Sequence, residues 1–106
     1  AQINWQLPSE EISRHIHAFS PIPGAFSHWN RKRIKFLRVK AQNKIILMPG
    51  EMRLKGKEVF VGTGTKALIV KELQLEGGIV LNQEKMRISQ NSPWFFKQVL
   101  INFDDK

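Results

Sequence analysis

The sequence predicts a mainly β fold, a small and mostly antiparallel barrel preceded by one N-terminal α-helix. Three observations carry this. Helical periodicity occurs near the front, where Ile12, Ile16 and Phe19 recur at intervals of four and three. Beyond it the apolar residues fall into short runs, some of period two, separated by glycine- and proline-containing turns at close spacing. The chain has 106 residues and 42% hydrophobic content, which suits a single domain with one modest core.

The helix is expected over residues 8–19. Pro8 suits its first turn, where a missing N–H costs nothing, and Glu10 and Glu11 follow where the helix dipole favours negative charge. Arg14, His15 and His17 lie mostly off the apolar face. The run Ser20-Pro21-Ile22-Pro23-Gly24 must end the helix, because two prolines within three residues cannot continue its hydrogen bonding. Trp5, Phe19 and Phe26 flank the helix and this turn, where core packing is the default expectation.

A strand follows over residues 33–41. Strict alternation puts Ile34, Phe36, Arg38 and Lys40 on one face and Lys35, Leu37 and Val39 on the other. Pro49 and Gly50 open a turn, and residues 51–54 and 58–61 read as strands joined through Lys55, Gly56 and Lys57. A second hairpin joins residues 59–61 to 67–75 through Gly62-Thr63-Gly64-Thr65-Lys66. Gly77 and Gly78 precede a strand over residues 79–81, and Asn82 caps a short helix that runs to Arg87. Short strands at this spacing behind a single helix suggest a barrel of the oligonucleotide-binding type. The final segment, residues 91–106, carries Trp94, Phe95, Phe96, Val99, Leu100, Ile101 and Phe103 and is expected to pack on this domain or on a neighbour. There is no internal repeat and no linker that would divide the chain.

The absence of cysteine excludes disulfides, thiolate metal sites and a cysteine nucleophile, and points to a reducing compartment. No apolar run approaches the roughly 18 residues of a membrane span. The opening AQINWQLPSEE lacks the basic start and apolar stretch of a signal peptide, so a soluble cytoplasmic protein, or one of an organellar matrix, is expected.

Charge is unevenly spread. The formal net charge is +8, yet residues 31–57 alone hold ten basic groups and one acid, Glu51, for a net of +9. The ten are Arg31, Lys32, Arg33, Lys35, Arg38, Lys40, Lys44, Arg53, Lys55 and Lys57. The remaining 79 residues carry seven basic and eight acidic groups, a net of −1. So localised an excess is the footprint of a surface that meets a polyanion, and these ten residues are the candidate RNA-binding set. Trp29, just ahead of them, offers either a stacking surface for a base or a core tryptophan.

Other candidate chemistry is weaker. His15 and His17 stand two apart, whereas a zinc pair on a helix wants three or four, and no metal is expected. Residues 62–66 resemble a phosphate loop, but the Walker pattern needs four residues between its glycines and a helix afterwards, so a hairpin turn is favoured. No catalytic constellation is recognisable: Glu72 and Glu76 read as solvated charges, and Asp104 and Asp105 lie in the tail.

Taken together, the pattern resembles the C-terminal domain of methionyl-tRNA formyltransferases. The resemblance is carried by INW at residues 3–5, Pro8 and its helix, AFSPIPGAF at 18–26, RIKFLRV at 33–39, PGEM at 49–52, TGTKAL at 63–68 and ELQLEG at 72–77. The helix followed by A-F-x-P-x-P-G-A is the most specific of these. Arg33, Lys35 and Arg38 lie inside a matched motif. Gly78 and Ile79 stand where the family usually places basic residues, and Lys66 where glycine is common.

The resemblance implies an oligonucleotide-binding-like barrel that trails a Rossmann-like catalytic domain and helps hold initiator methionyl-tRNA. The formyl donor, 10-formyltetrahydrofolate, would bind in that preceding catalytic domain, which is the chain's second implied partner; no cofactor is implied for these residues. An alternative is a structural C-terminal domain of another 10-formyltetrahydrofolate-using enzyme, a sugar-nucleotide formyltransferase or a formyltetrahydrofolate dehydrogenase. A third is a freestanding single-stranded nucleic-acid binder. The localised charge and the proline-rich turn favour the tRNA enzyme.

Overall fold

Helix α1 spans Ser9–Phe19, and its start shows how the local sequence and the distant chain cooperate. Pro8 is its N-cap, one place ahead of the expected first turn, with φ −62° and ψ 153°. Proline has no side-chain oxygen with which to satisfy the first free amides of a helix. The Ser9 amide donates instead to the hydroxyl of Thr65, at 3.0 Å, from a hairpin far along the chain. Ile12 and Ile16 are buried, as the apolar period requires. Phe19 is 38% exposed and packs on the His15 ring at 5.1 Å, which corrects its expected place in the core. It sits in the last turn, where the chain swings away into the prolines.

The computed structural model describes residues 1–29 and 32–89. Arg31, the side chains of Trp29 and Lys32, and the apolar segment 91–106 lie outside what is described.

Strand β1, Ala25–Trp29, has no counterpart in the sequence expectation. It pairs antiparallel with β2, Lys32–Ala41, from Ala25 opposite Phe36 to Trp29 opposite Lys32. Its inward residues are the small Ala25 and Ser27, because Trp5 fills the space above them. The Trp5 indole donates to Ser27 Oγ at 2.7 Å, and its ring meets Phe36 edge-on at 5.1 Å. Phe26 therefore turns to the other face and is only partly buried, a second correction to the expected core.

The most consequential departure is in β2. Its long partner is β5, Leu68–Leu75, and the register places Phe36 opposite Leu73, Arg38 opposite Glu72 and Val39 opposite Val70. Leu37 on one strand and Lys71 on the other are left as extra residues, so the alternation is broken at this bulge. Ile34, Phe36 and Val39 all face the core, and Lys35, Arg38 and Lys40 all face away from it. The expectation that Lys35 lies opposite Arg38 and Lys40 is thus overturned. The amide of Val39, at the bulge, donates to His17 Nε2 on α1 at 3.2 Å.

Strands β3, Met52–Lys55, and β4, Glu58–Val61, form a hairpin whose two-residue turn has Gly56 at φ 63°, a conformation glycine adopts without strain. Strand β6, Val80–Asn82, lies beside the second half of β5, and β4 beside its first half. Helix α2, Gln83–Ser89, begins as expected with Asn82 Oδ1 accepting from the Lys85 amide at 2.8 Å. Among the described residues every strand pair is antiparallel, in the order β1-β2-β5-β4-β3, and the sheet does not close on itself; the outer edge of β1 carries a parallel bridge from Gln2 to Phe26. The core lies between α1 and the inner face of this sheet, with Ile3, Trp5, Phe36, Met52, Leu73 and Met86 among its members.

Candidate nucleic-acid interface

The outer face of the sheet carries the site. One row crosses four strands, from Arg53 on β3 to Phe60 on β4, Ile69 on β5 and Lys40 on β2. Phe60 and Ile69 are buried in a small second cluster with Ala67, covered by Ile45 and Leu47 from the loop after β2. Gln42 pins that loop. Its amide nitrogen donates to the carbonyls of Ile45 and Ala67 at 2.9 and 2.7 Å, and its oxygen accepts from the amides of Lys44 and Ile45 at 2.9 and 2.8 Å. Lys44 is thereby brought beside Arg53 and Lys55 around a shallow cavity of about 470 Å³, whose other walls are Ile45, Ile46, Leu47 and Leu54.

At the other end of the face, Arg33 and Lys35 meet Phe26. The Arg33 guanidinium lies 4.2 Å from the centroid of the Phe26 ring. The Arg33 amide donates to Glu76 Oε1 at 2.9 Å, and the Glu76 amide donates back to the Arg33 carbonyl at 2.9 Å. Gly24, at φ 90°, is required here: a Cβ on it would lie 2.5 Å from Cδ of Lys35, whose stem crosses over it. Phe26, Arg33, Lys35 and Glu76, with Pro23, Gln74, Leu75 and Gly77, line a cavity of about 230 Å³.

Between the two ends stand Lys40 and Arg38, the latter 3.8 Å from the Glu72 carboxylate with 58% of its side chain exposed. Arg53 pairs with Glu51. The structure therefore gathers Arg33, Lys35, Arg38, Lys40, Arg53 and Lys55 on one face of the sheet, with Lys44 on the loop above it. Lys57 stands in the β3–β4 turn at the edge. Lys32 opens β2, and Arg31 is outside the described residues. Charge density alone found these cations; Phe26 and Gln42, which shape the two ends, were missed. Gln42 left one faint trace, an amide side chain just where a strand gives way to a cationic loop.

The glycine-threonine hairpin is structural. Thr63 Oγ1 donates to the Lys66 carbonyl at 2.7 Å and accepts from the Thr65 amide at 3.0 Å, while the Gly64 amide donates to the Leu7 carbonyl. A Cβ on Gly64 would lie 2.1 Å from the Gln6 carbonyl oxygen. Amides that a phosphate would need are thus spent inside the fold. Among the described residues, no three His, Cys, Asp or Glu side chains come together as a metal site would require, and no helix is long and apolar enough to cross a membrane.

The formyl transferase C-terminal domain model matches residues 1–91. A methionyl-tRNA formyltransferase of Dehalococcoides mccartyi is 40% identical over 78 residues, covering 72% of this chain and 25% of the relative. One from Mycobacteroides abscessus is 38% identical over 81 residues, covering 76% and 26%. The fold also matches HypX from Aquifex aeolicus, with a TM-score of 0.69 and 22% identity over 92% of this chain and 17% of HypX. This chain spans about a quarter of the length of the methionyl-tRNA formyltransferases it matches. A match over residues 1–91, joined to relatives of 38% and 40% identity, means that the chain belongs to the formyl transferase C-terminal domain family.

Proposed function

We propose that this chain is the tRNA-docking domain of a cytoplasmic methionyl-tRNA formyltransferase. That enzyme moves a formyl group from 10-formyltetrahydrofolate to the amino group of initiator methionyl-tRNA, and its folate site and chemistry belong to the part of the protein beyond these residues. The observation that carries the reading is the outer face of the sheet, where the bulge in β2 turns Lys35, Arg38 and Lys40 to the same side as Arg53 and Lys55. Phosphates spaced along an RNA backbone need several cations on one surface, and such contacts supply affinity and placement more than sequence choice. The partner domain would then contribute discrimination between initiator and elongator tRNA.

The test is fluorescence anisotropy of labelled initiator tRNA titrated with this chain across a salt series, comparing wild type with a Lys35→Ala, Arg38→Ala, Lys40→Ala triple variant. The expected logarithmic salt slope is about −0.7 to −0.9 per phosphate neutralised, with a shallower slope and weaker binding in the variant. Absence of binding at low salt overturns the reading and leaves a structural domain that serves its own catalytic half.

A further inference from the structure

We infer that the cavity between Phe26, Arg33, Lys35 and Glu76 holds one unpaired nucleotide of the bound RNA, its base against the Arg33 guanidinium and its phosphate against Lys35. The inference rests on the docking reading and sharpens it by dividing the cationic face into a general part and a nucleotide-reading part.

The two ends of that face differ in chemistry. Around Lys44, Arg53 and Lys55 the walls are aliphatic, supplied by Ile45, Ile46, Leu47 and Leu54. Around Arg33 and Lys35 the aliphatic walls, Pro23 and Leu75, are joined by an aromatic ring, an amide and a carboxylate, from Phe26, Gln74 and Glu76. A guanidinium set against an aromatic ring offers its other side to a further planar group, and unpaired bases are commonly stacked this way. Here the plate is held from three directions. Phe26 lies on one side of Arg33, His28 braces Phe26 edge-on at 5.4 Å and 79°, and the reciprocal Arg33–Glu76 hydrogen bonds fix the strand beneath. Such preorganisation lowers the ordering cost of binding.

Charge and size restrict the occupant. Two cations and one carboxylate suit the single negative charge of a phosphodiester better than a polyphosphate, and Glu76 supplies an acceptor for a base N–H or a ribose hydroxyl. The cavity, about 230 Å³, falls below the roughly 300–1,000 Å³ of pockets that enclose a drug-sized ligand, so it takes one base and leaves the ribose and phosphate at its open mouth. A base within a duplex is stacked on both faces and cannot enter. The cavity shares Lys35 with the face on which Arg38 and Lys40 lie, so an RNA backbone on those cations runs directly to it.

The experiment compares two labelled RNA hairpins, one with a short single-stranded 3′ overhang and one blunt, and reads the ratio of their affinities for this chain. Wild type is expected to prefer the overhang by about tenfold, the scale of one stacked base. Phe26→Leu, which removes the ring, and Arg33→Lys, which keeps the charge but loses the planar group, should each bring the ratio within about twofold of unity. Arg53→Gln, at the opposite end, should weaken both RNAs and leave the ratio as in wild type. A wild-type ratio near one, with both hairpins binding in a salt-dependent way, overturns the nucleotide cavity and spares the docking reading. A ratio that survives both Phe26→Leu and Arg33→Lys also overturns it, as does free adenosine monophosphate binding as tightly as the overhang RNA. Failure of both hairpins to bind at low salt removes the docking reading as well.

Discussion

On the inner face of the sheet, Ile34, Phe36, Val39, Leu68, Val70 and Leu73 are at most 5% exposed, while β2 turns Lys35, Arg38 and Lys40 outward. The inner set is fixed by shape: each side chain fills space that others define, so a change in volume is felt throughout. The outer set is held by long flexible stems and single ion pairs such as Arg38 with Glu72, which contribute little to stability. One face of this sheet decides whether the chain folds, and the other decides what it meets. The bulge at Leu37 and Lys71 allows a single pair of strands to serve both ends.

That separation is open to direct attack. Phe36→Ala, on the inner face, should lower stability by about 3–5 kcal/mol in urea denaturation, because it empties the space against Trp5. A loss comparable to that of an exposed residue would show that the core is not organised as described. Gly64→Ala tests the hairpin that abuts the helix start. The added methyl meets the Gln6 carbonyl, and a cost of about 1–3 kcal/mol is expected, read as a lower denaturation midpoint. The smallest stability effect belongs to Lys40→Ala, expected to change stability by about 0.5 kcal/mol or less. The same substitution should make the tRNA salt slope shallower by about 0.7 to 0.9 if Lys40 neutralises one phosphate. Substantial unfolding by Lys40→Ala, or an unaltered slope, would merge the two faces again.

Much of this arrangement is legible in the sequence, and the parts that are not have physical reasons. The helix, the β3–β4 and β4–β5 hairpins and the Asn82 cap follow from periodicity and turn residues, each a local signal. Strand β1 escapes because its pattern is inverted: the inward positions are Ala25 and Ser27, kept small by Trp5, and the bulky Phe26 points outward. Periodicity assumes that large apolar residues mark the core, and here a residue 22 positions away occupies that core instead. The sidedness of Lys35 escapes because alternation is counted residue by residue, and one bulge reverses the count. The cationic site was visible as composition, but its division into an aliphatic end and an aromatic end depends on contacts between strands.

Helix α1 has 11 residues, begins after a proline, and takes its N-terminal partner from Thr65, 56 positions later. Helices shorter than about 12–15 residues are marginal in water on their own. The first regular element in the chain therefore owes its stability to partners far along the sequence, Thr65 of the β4–β5 hairpin at its start and Val39 of β2 near its end. A proteolytic fragment ending before β1 would give the circular dichroism of a coil.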